Sequence, residues 1–315
     1  MSPSNREFAI QSLSDSLRDD LVQLVRLAIR EDLDRSFDLT TVAVVPDGLA
    51  AEASIVARTP GVAAGLELID WILETINCST TCRLFYKDGQ SFSAGEVLAI
   101  LQGDARDVLT CERTILNFLG RLCGIATWTQ RHVDCINDLP VRLYDTRKTT
   151  PGWRRLEKYA VRCGGGWNHR CGLYDAILIK DNHLACHHHT KGELLNPAQA
   201  VHLAREFLAS QPGLGPNIPV EIEVDSLEQL ALALPASPDI ILLDNMSVER
   251  LAAAVALRND LNRKVELEAS GGVNLRTLRS IAETGVDRIS VGALTHSAVN
   301  LDLGLDWNFG PPLAH

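Results

Sequence analysis

The chain has 315 residues, enough for one large domain or two ordinary ones, and its 46% hydrophobic and 22% charged content is that of a globular protein. Thirty Lys and Arg against forty Asp and Glu leave a net charge of −10, which excludes general nucleic-acid binding, because a phosphate backbone needs a broad basic surface. No apolar run reaches the roughly 20 residues that span a bilayer, and residues 1–20 lack the charged-then-apolar pattern of a secretion signal. The expected location is therefore cytoplasmic, without a membrane partner. The eight cysteines, at 78, 82, 111, 123, 135, 163, 171 and 186, form no C-x-x-C pair and are expected to be free core thiols in a reducing compartment.

In chain order, Leu17, Leu21, Leu24, Val25 and Ala28 recur at helical spacing and predict a helix over 15–31. Strand-like runs follow at 50–58, 82–87 and 96–102, with a helix at 65–77 between them and a turn at the KDGQ of 87–90. This reads as an α+β domain, helices against a partly antiparallel sheet. The stretch 107–126 is a strong helix. Ile115, Leu119, Leu122 and Ala126 line one face, and Arg113, Asn117, Gly120 and Gly124 line another that suits close approach by a second element or a ligand.

From 141 onward short apolar runs alternate with helices. The strands are 141–146, 176–181, 220–225, 239–244, 265–270 and 287–292; the helices are 151–162, 197–209, 226–234, 247–261 and 274–284. That alternation predicts a parallel sheet covered by helices. Neither a dinucleotide nor a P-loop fingerprint is present, so an α/β barrel fits better than a doubly wound sheet, and six units in place of eight make it incomplete or open.

Ligand sites in such barrels lie at the C-terminal strand ends. There the sequence places Thr146, Arg147 and Lys148; Lys180, Asp181, Asn182 and His183; Glu223 and Asp225; Asp244 and Asn245; Ser270, Gly271 and Gly272; Gly292 and Ala293. Any one of these is an ordinary turn former; all six ends together point to a site. Glu221, Glu223 and Asp225, and likewise Glu266 and Glu268, alternate with apolar residues, so each set shares a face. In central strands that face is the barrel interior, where carboxylates need partners. Arg147, Lys148, Arg170 and Lys180 are available for this. The SGG at 270–272 and the VGA at 291–293 are turns whose backbone N–H groups attract phosphate.

Residues 145–170 hold seven Arg or Lys against two acids, Asp145 and Glu157. Arg154, Arg155 and Lys158 are read as a solvated helix face, Gly164-Gly165-Gly166 as the stop of that helix, and Arg147, Lys148, His169 and Arg170 as the ligand contacts. Arg fits a carboxylate bidentately where Lys cannot. The Cys186-His187-His188-His189 stretch is read as a surface loop, because adjacent residues cannot all face one ion.

The segments ERTILNFLGRLCGIAT, DTRKTTPGWRRLEKYAVRCGGGWNHRCGLYDAILIKDNH, VEIEVDS, DIILLDNM, LEASGGV and DRISVGALTHS resemble the quinolinate phosphoribosyltransferase family, also called nicotinate-nucleotide pyrophosphorylase (carboxylating), from about residue 37 to 303. The resemblance implies an N-terminal α/β sandwich domain over 1–115, joined by the tail 297–315, and an open α/β barrel over 116–296. It implies a pentosyl transfer from phosphoribosyl pyrophosphate (PRPP) to quinolinate with Mg²⁺, giving nicotinate mononucleotide, pyrophosphate and CO₂ in de novo NAD biosynthesis.

By the same resemblance Arg113, Arg147, His169 and Arg170 bind the quinolinate carboxylates, with Thr146 beside them. Lys148 and Lys180 lie between the substrates, and Glu223 and Asp244 hold the ribose hydroxyls and Mg²⁺. Ser270, Gly271 and Gly272 with Val291, Gly292 and Ala293 cradle the 5′-phosphate. Arg113 reaches the neighbouring subunit's site, which implies at least a homodimer. Three other readings stay open. Lys180 at a strand end could form a Schiff base in an aldolase-type lyase; a related barrel enzyme could act on another anionic ring; and the barrel could be a catalytically dead ligand sensor.

Overall fold

The computed structural model describes residues 7–191, 195–211, 213, 214 and 217–308, and of 187–191 only the helical backbone. Contacts divide the chain into two compact units. One comprises 11–131, 149–165 and 294–315; the other comprises 1–10, 132–148 and 166–293. The helix Ala105–Asp134 runs through the 115/116 boundary that the sequence pattern marks, and the contact division comes at 131/132.

The first of these units holds an antiparallel sheet ordered Leu303–Trp307, Ala50–Ala57, Val97–Asp104, Thr81–Leu84. Ser14 caps the helix Asp15–Leu33 by accepting from the Leu17 N–H, and that helix buries Leu17, Leu21 and Val25. On Ala105–Asp134 the small-residue stripe receives the chain's own C-terminal segment: the Leu301 N–H donates to the Gly120 carbonyl at 2.8 Å. A Cβ on Gly124 would collide with the Val299 carbonyl.

The helix Arg154–Cys163 corrects the expected solvated face. Glu157 and Lys158 are fully buried, and Arg154 and Arg155 are half-buried. Charge survives there because it is paired. Arg121 Nη2 donates to Glu157 Oε1 at 2.6 Å, the Thr150 hydroxyl donates to the same oxygen at 2.8 Å, and Arg155 Nη1 meets Asp20 at 2.7 Å. The helix does stop at the triple glycine.

The other unit is a six-stranded all-parallel sheet. Its strands are β1 (Arg142–Tyr144), β2 (Ile177–Ile179), β3 (Val220–Val224), β4 (Ile240–Asp244), β5 (Glu266–Ser270) and β6 (Arg288–Ser290), hydrogen-bonded in the order β1-β6-β5-β4-β3-β2. A closed barrel would pair β1 with β2; here they are the two edges, so the barrel is open between them. The β1 edge is covered by a bridge from Trp167, whose N–H donates to the Leu143 carbonyl at 2.7 Å while its carbonyl accepts from the Asp145 N–H at 3.0 Å. Helices Pro197–Ala209, Leu227–Ala233, Val248–Leu261 and Leu275–Ala282 follow their strands as the periodicity predicts. The Cys186-His187-His188-His189 stretch, expected to be a loop, lies instead in the helix Asp181–Lys191. Cys186 is exposed on it, and the side chains of His187, His188 and His189 lie outside the described residues. None of the eight cysteines is in a disulfide, and only Cys111, Cys123 and Cys171 are buried.

Candidate active site

The interior of the parallel unit is charged from floor to mouth, because acids and bases at alternate positions of central strands have nowhere else to point. At the floor Arg142, Glu266 and Arg288 are the first residues of β1, β5 and β6. Arg142 Nη2 reaches Glu266 Oε1 at 2.5 Å, and Arg288 Nε also donates to Glu266. Glu7 joins them: Arg142 Nη1 donates to its Oε2 at 2.7 Å and the Arg288 guanidinium donates to both its oxygens at 3.0 Å. The Tyr144 hydroxyl donates to the same carboxylate at 3.0 Å.

One step up stand Glu221 of β3 and Glu268 of β5, both fully buried, on either side of His169. His169 Nε2 lies 3.1 Å from Glu221 Oε2 and 3.5 Å from Glu268 Oε1. Burial pushes the Glu221 carboxyl up to about 7, against the opposing pull of Arg288, Arg170 and Lys180. Glu268 is pushed up to about 7 first by burial and then by the Glu221 charge.

The potential ligand atoms of His169, Glu221 and Glu268 lie within 4.8 Å of one another, which is close enough for a cation. The histidine tautomer argues against one. The Arg170 N–H donates to His169 Nδ1 at 2.8 Å, which assigns the ring proton to Nε2, on the side of the carboxylates. The backbone around the ring is fixed by Asp145, fully buried at the end of β1. It accepts from the His169 N–H at 2.8 Å and from Asn168 Nδ2 at 2.7 Å.

Next to this cluster lie two arginines with unmet donors. Arg147 Nε and Arg170 Nε are buried without a hydrogen-bond partner. Arg170 Nη1 donates to the Ala176 carbonyl at 3.2 Å. Burial, and after it the charge of Arg147, hold the Arg170 guanidinium below its ordinary basicity. Two neighbouring cations with buried free N–H groups form a seat for an anion carrying more than one charge.

At the mouth, Lys180 Nζ meets Glu223 Oε2 at 2.5 Å. A half-exposed, paired ammonium is not the desolvated amine that Schiff-base chemistry asks for, which counts against the lyase reading. Asp244, at the end of β4, accepts from Asn245 Nδ2 at 2.9 Å, and Ser270 sits opposite Asp244 in register. Gly271 and Gly272 take φ of 95° and 62°, and a Cβ on Gly271 would collide with the Asn245 side chain. The Val291 N–H is tied to the Tyr144 carbonyl at 2.9 Å, and Gly292 and Ala293 lead into the turn of helix Ala293–His296. Thr146 accepts from the Lys148 N–H at 3.0 Å; Lys148 itself is exposed. Asp181 and His183 bond locally at the start of a helix, the turn-forming role. Asp225 is exposed, unlike the two inward acids of its strand. Arg113 belongs to the other unit, exposed on Ala105–Asp134.

Sequence reasoning missed Glu7, Phe8 and Arg288. The Arg at the start of an otherwise apolar central strand was a usable signal; two residues in an irregular leading segment offered none.

Two family models match the chain: "Quinolinate phosphoribosyl transferase, N-terminal domain" over residues 38–123 and "Quinolinate phosphoribosyl transferase, C-terminal domain" over 125–306. The chain is 43% identical over 296 residues to the "Nicotinate-nucleotide pyrophosphorylase [carboxylating]" of Mycobacterium leprae, covering 93% of this chain and 99% of that protein. It is 40% identical over 269 residues to the "Probable nicotinate-nucleotide pyrophosphorylase [carboxylating]" of Bacillus subtilis, covering 85% and 87% of the two. Among solved structures, the nicotinate-nucleotide pyrophosphorylase from Francisella tularensis superposes with a TM-score of 0.84 at 35% identity, over 96% of this chain and 100% of that one.

Proposed function

This chain belongs to the quinolinate phosphoribosyltransferase family, and from that premise we propose that it joins quinolinate to PRPP, releasing pyrophosphate and CO₂ and leaving nicotinate mononucleotide for NAD synthesis. The observation that carries the reading is the pair of buried, unpartnered guanidinium donors of Arg147 and Arg170. A dicarboxylate can answer them with one carboxylate to each guanidinium.

The chemistry follows from the charges. Arg147 and Arg170 orient quinolinate so that its ring nitrogen faces C1 of the ribose, which converts an encounter into a positioned displacement. The C–N bond forms as the C1–O bond breaks, and the electron pair leaves on pyrophosphate. Lys148 and Lys180 stabilise that leaving charge. At rest Lys180 and Glu223 compensate each other; with substrates bound, the ammonium turns to phosphate oxygens and the carboxylate to the ribose hydroxyls. Glu223 and Asp244 also stabilise positive charge developing at C1.

These two carboxylates, at the ends of β3 and β4, are the hard oxygen donors that suit Mg²⁺, so they would hold the ion together with substrate oxygens. Bound there, Mg²⁺ supplies charge neutralisation for the pyrophosphate. The Ser270-Gly271-Gly272 and Val291-Gly292-Ala293 turns offer backbone N–H groups to the 5′-phosphate. The pyridinium so formed loses the carboxylate beside its nitrogen as CO₂, because the positive nitrogen stabilises the electron pair left on the ring carbon until that carbon takes a proton. We take the enzyme to act in the cytoplasm as a homodimer or a larger assembly. No helix among the described residues is long and apolar enough to cross a membrane, and none of the eight cysteines is in a disulfide.

The test is direct. With Mg²⁺ and PRPP, carboxyl-labelled quinolinate should release labelled CO₂ in step with nicotinate mononucleotide. Turnover of nicotinate without CO₂ would overturn the assignment. Arg147→Ala should lose on the order of 10²–10³ in kcat/KM while keeping its circular dichroism spectrum.

A further inference from the structure

Glu7 and Phe8 lie outside both family-model matches, yet they close the floor of the parallel unit. Glu7 accepts from side chains of β1 and β6 and from the Phe8 N–H at 3.0 Å, and Phe8 is 3% exposed. The Phe8 ring packs with Tyr144 of β1, with Ala176 just before β2 and with Ile240, the first residue of β4, at the N-terminal end of the strands. Its flat face stacks on His169, centroids 4.2 Å apart at 24°. Its edge meets Tyr144 at 6.3 Å and 82°, and the Arg288 guanidinium lies 5.4 Å from its centroid.

His169 is thus held on four sides. Phe8 takes one ring face, the Glu221 and Glu268 carboxylates face Nε2, the Arg170 N–H takes Nδ1, and Asp145 takes the backbone. The Nδ1 bond ties the ring plane directly to the backbone of Arg170. A ring free to tilt would carry that N–H with it and move the guanidinium seat.

We propose that Phe8 is a positioning residue for substrate: clamped through Glu7 to Arg142 and Arg288, it fixes the His169 ring from below and so sets Arg170 for the dicarboxylate. This rests on the proposed binding of quinolinate by Arg147 and Arg170. Phe8 itself touches no substrate. The leading segment is on this view part of the binding site, and not only a plug that adds stability at the N-terminal end of the strands, the face where stability is the usual role.

The experiment compares Phe8→Leu, which keeps apolar volume but removes the flat ring, with Phe8→Ala and with Arg170→Lys. Quinolinate binding to the free protein is measured by calorimetry, and KM is measured for each substrate. Phe8→Leu should weaken quinolinate about three- to tenfold, the scale of one aromatic stack, and leave the KM for PRPP within about twofold. Phe8→Ala should weaken it at least as much. Arg170→Lys should raise the quinolinate Kd by more than either. Unchanged quinolinate binding in a folded Phe8→Leu protein, beside a weakened Arg170→Lys, overturns the positioning role alone. Unchanged binding in Arg170→Lys overturns the underlying site. Equal loss for quinolinate and PRPP in Phe8→Leu marks Phe8 as purely structural and also overturns the proposal.

Discussion

Glu268 shows how one residue can work against the fold that holds it. Its carboxyl is buried and faces the like charge of Glu221, both of which raise its pKa, while His169 and Arg288 pull the other way. With its ordinary value of 4.5 pushed up to about 7, it binds its proton more tightly folded than unfolded. Below about 4.5 it is protonated in both states and makes no difference to stability. As pH rises from there through about 7, the unfolded chain ionises first and the fold loses stability, on the order of 1–3 kcal/mol by the end of that window. Glu221 titrates in the same direction and over the same range. Glu268→Gln removes the charge and keeps the shape. Denaturant midpoints should therefore place Glu268→Gln further above the parent protein at pH 8 than at pH 5. A gap that stays constant between the two pH values would mean that Glu268 is not the titrating group.

Among the elements, the triple glycine shows that two adjacent, identical residues can be required for different reasons. Gly164 has an ordinary φ of −79°, but a Cβ there would lie 2.7 Å from Thr129 Cβ and against the Ala126 carbonyl of Ala105–Asp134. Gly165 instead takes φ 84°, a left-handed position. Gly164→Ala must push two packed backbones apart and should cost about 2–3 kcal/mol, whereas Gly165→Ala should cost about 1 kcal/mol. Thermal unfolding of the two variants checks the order; a larger loss for Gly165→Ala would put conformation above packing. The stop itself was legible because glycine ends helices, but the reason for each glycine was not. The same divide runs through the barrel. All six parallel strands were readable, since short apolar runs between helices admit few arrangements, and so were the strand-end residues. Lys158 was misread as solvated because helical spacing alone does not show which face meets a partner. Period 2 turned Glu221 and Glu268 inward, but their meeting with His169, like the places of Glu7 and Phe8, depends on contacts between residues far apart in the sequence, which local pattern does not show.

At the scale of the whole molecule, the site residues are unevenly distributed. All of the proposed contacts but one belong to the parallel unit, and Arg113, the exception, is exposed on the helix Ala105–Asp134. An exposed arginine in an acidic chain is commonly just a solvated charge. The family reading instead gives it a dicarboxylate to bind in a second copy of the chain. The two roles part under complementation. Arg113→Ala and Arg147→Ala should each be nearly inactive as pure assemblies, since every site lacks one guanidinium. Co-expressed in equal amounts they form mixed dimers, about half of the total, and in each of these one site receives both defects while the other receives neither. About a quarter of wild-type activity should then return. If Arg113 serves its own chain's site, every site in a mixed dimer keeps one defect and no activity returns. If it is only a solvated charge, Arg113→Ala is active from the start. The recovered fraction, read from CO₂ release by the co-expressed mixture against each parent variant, decides among the three.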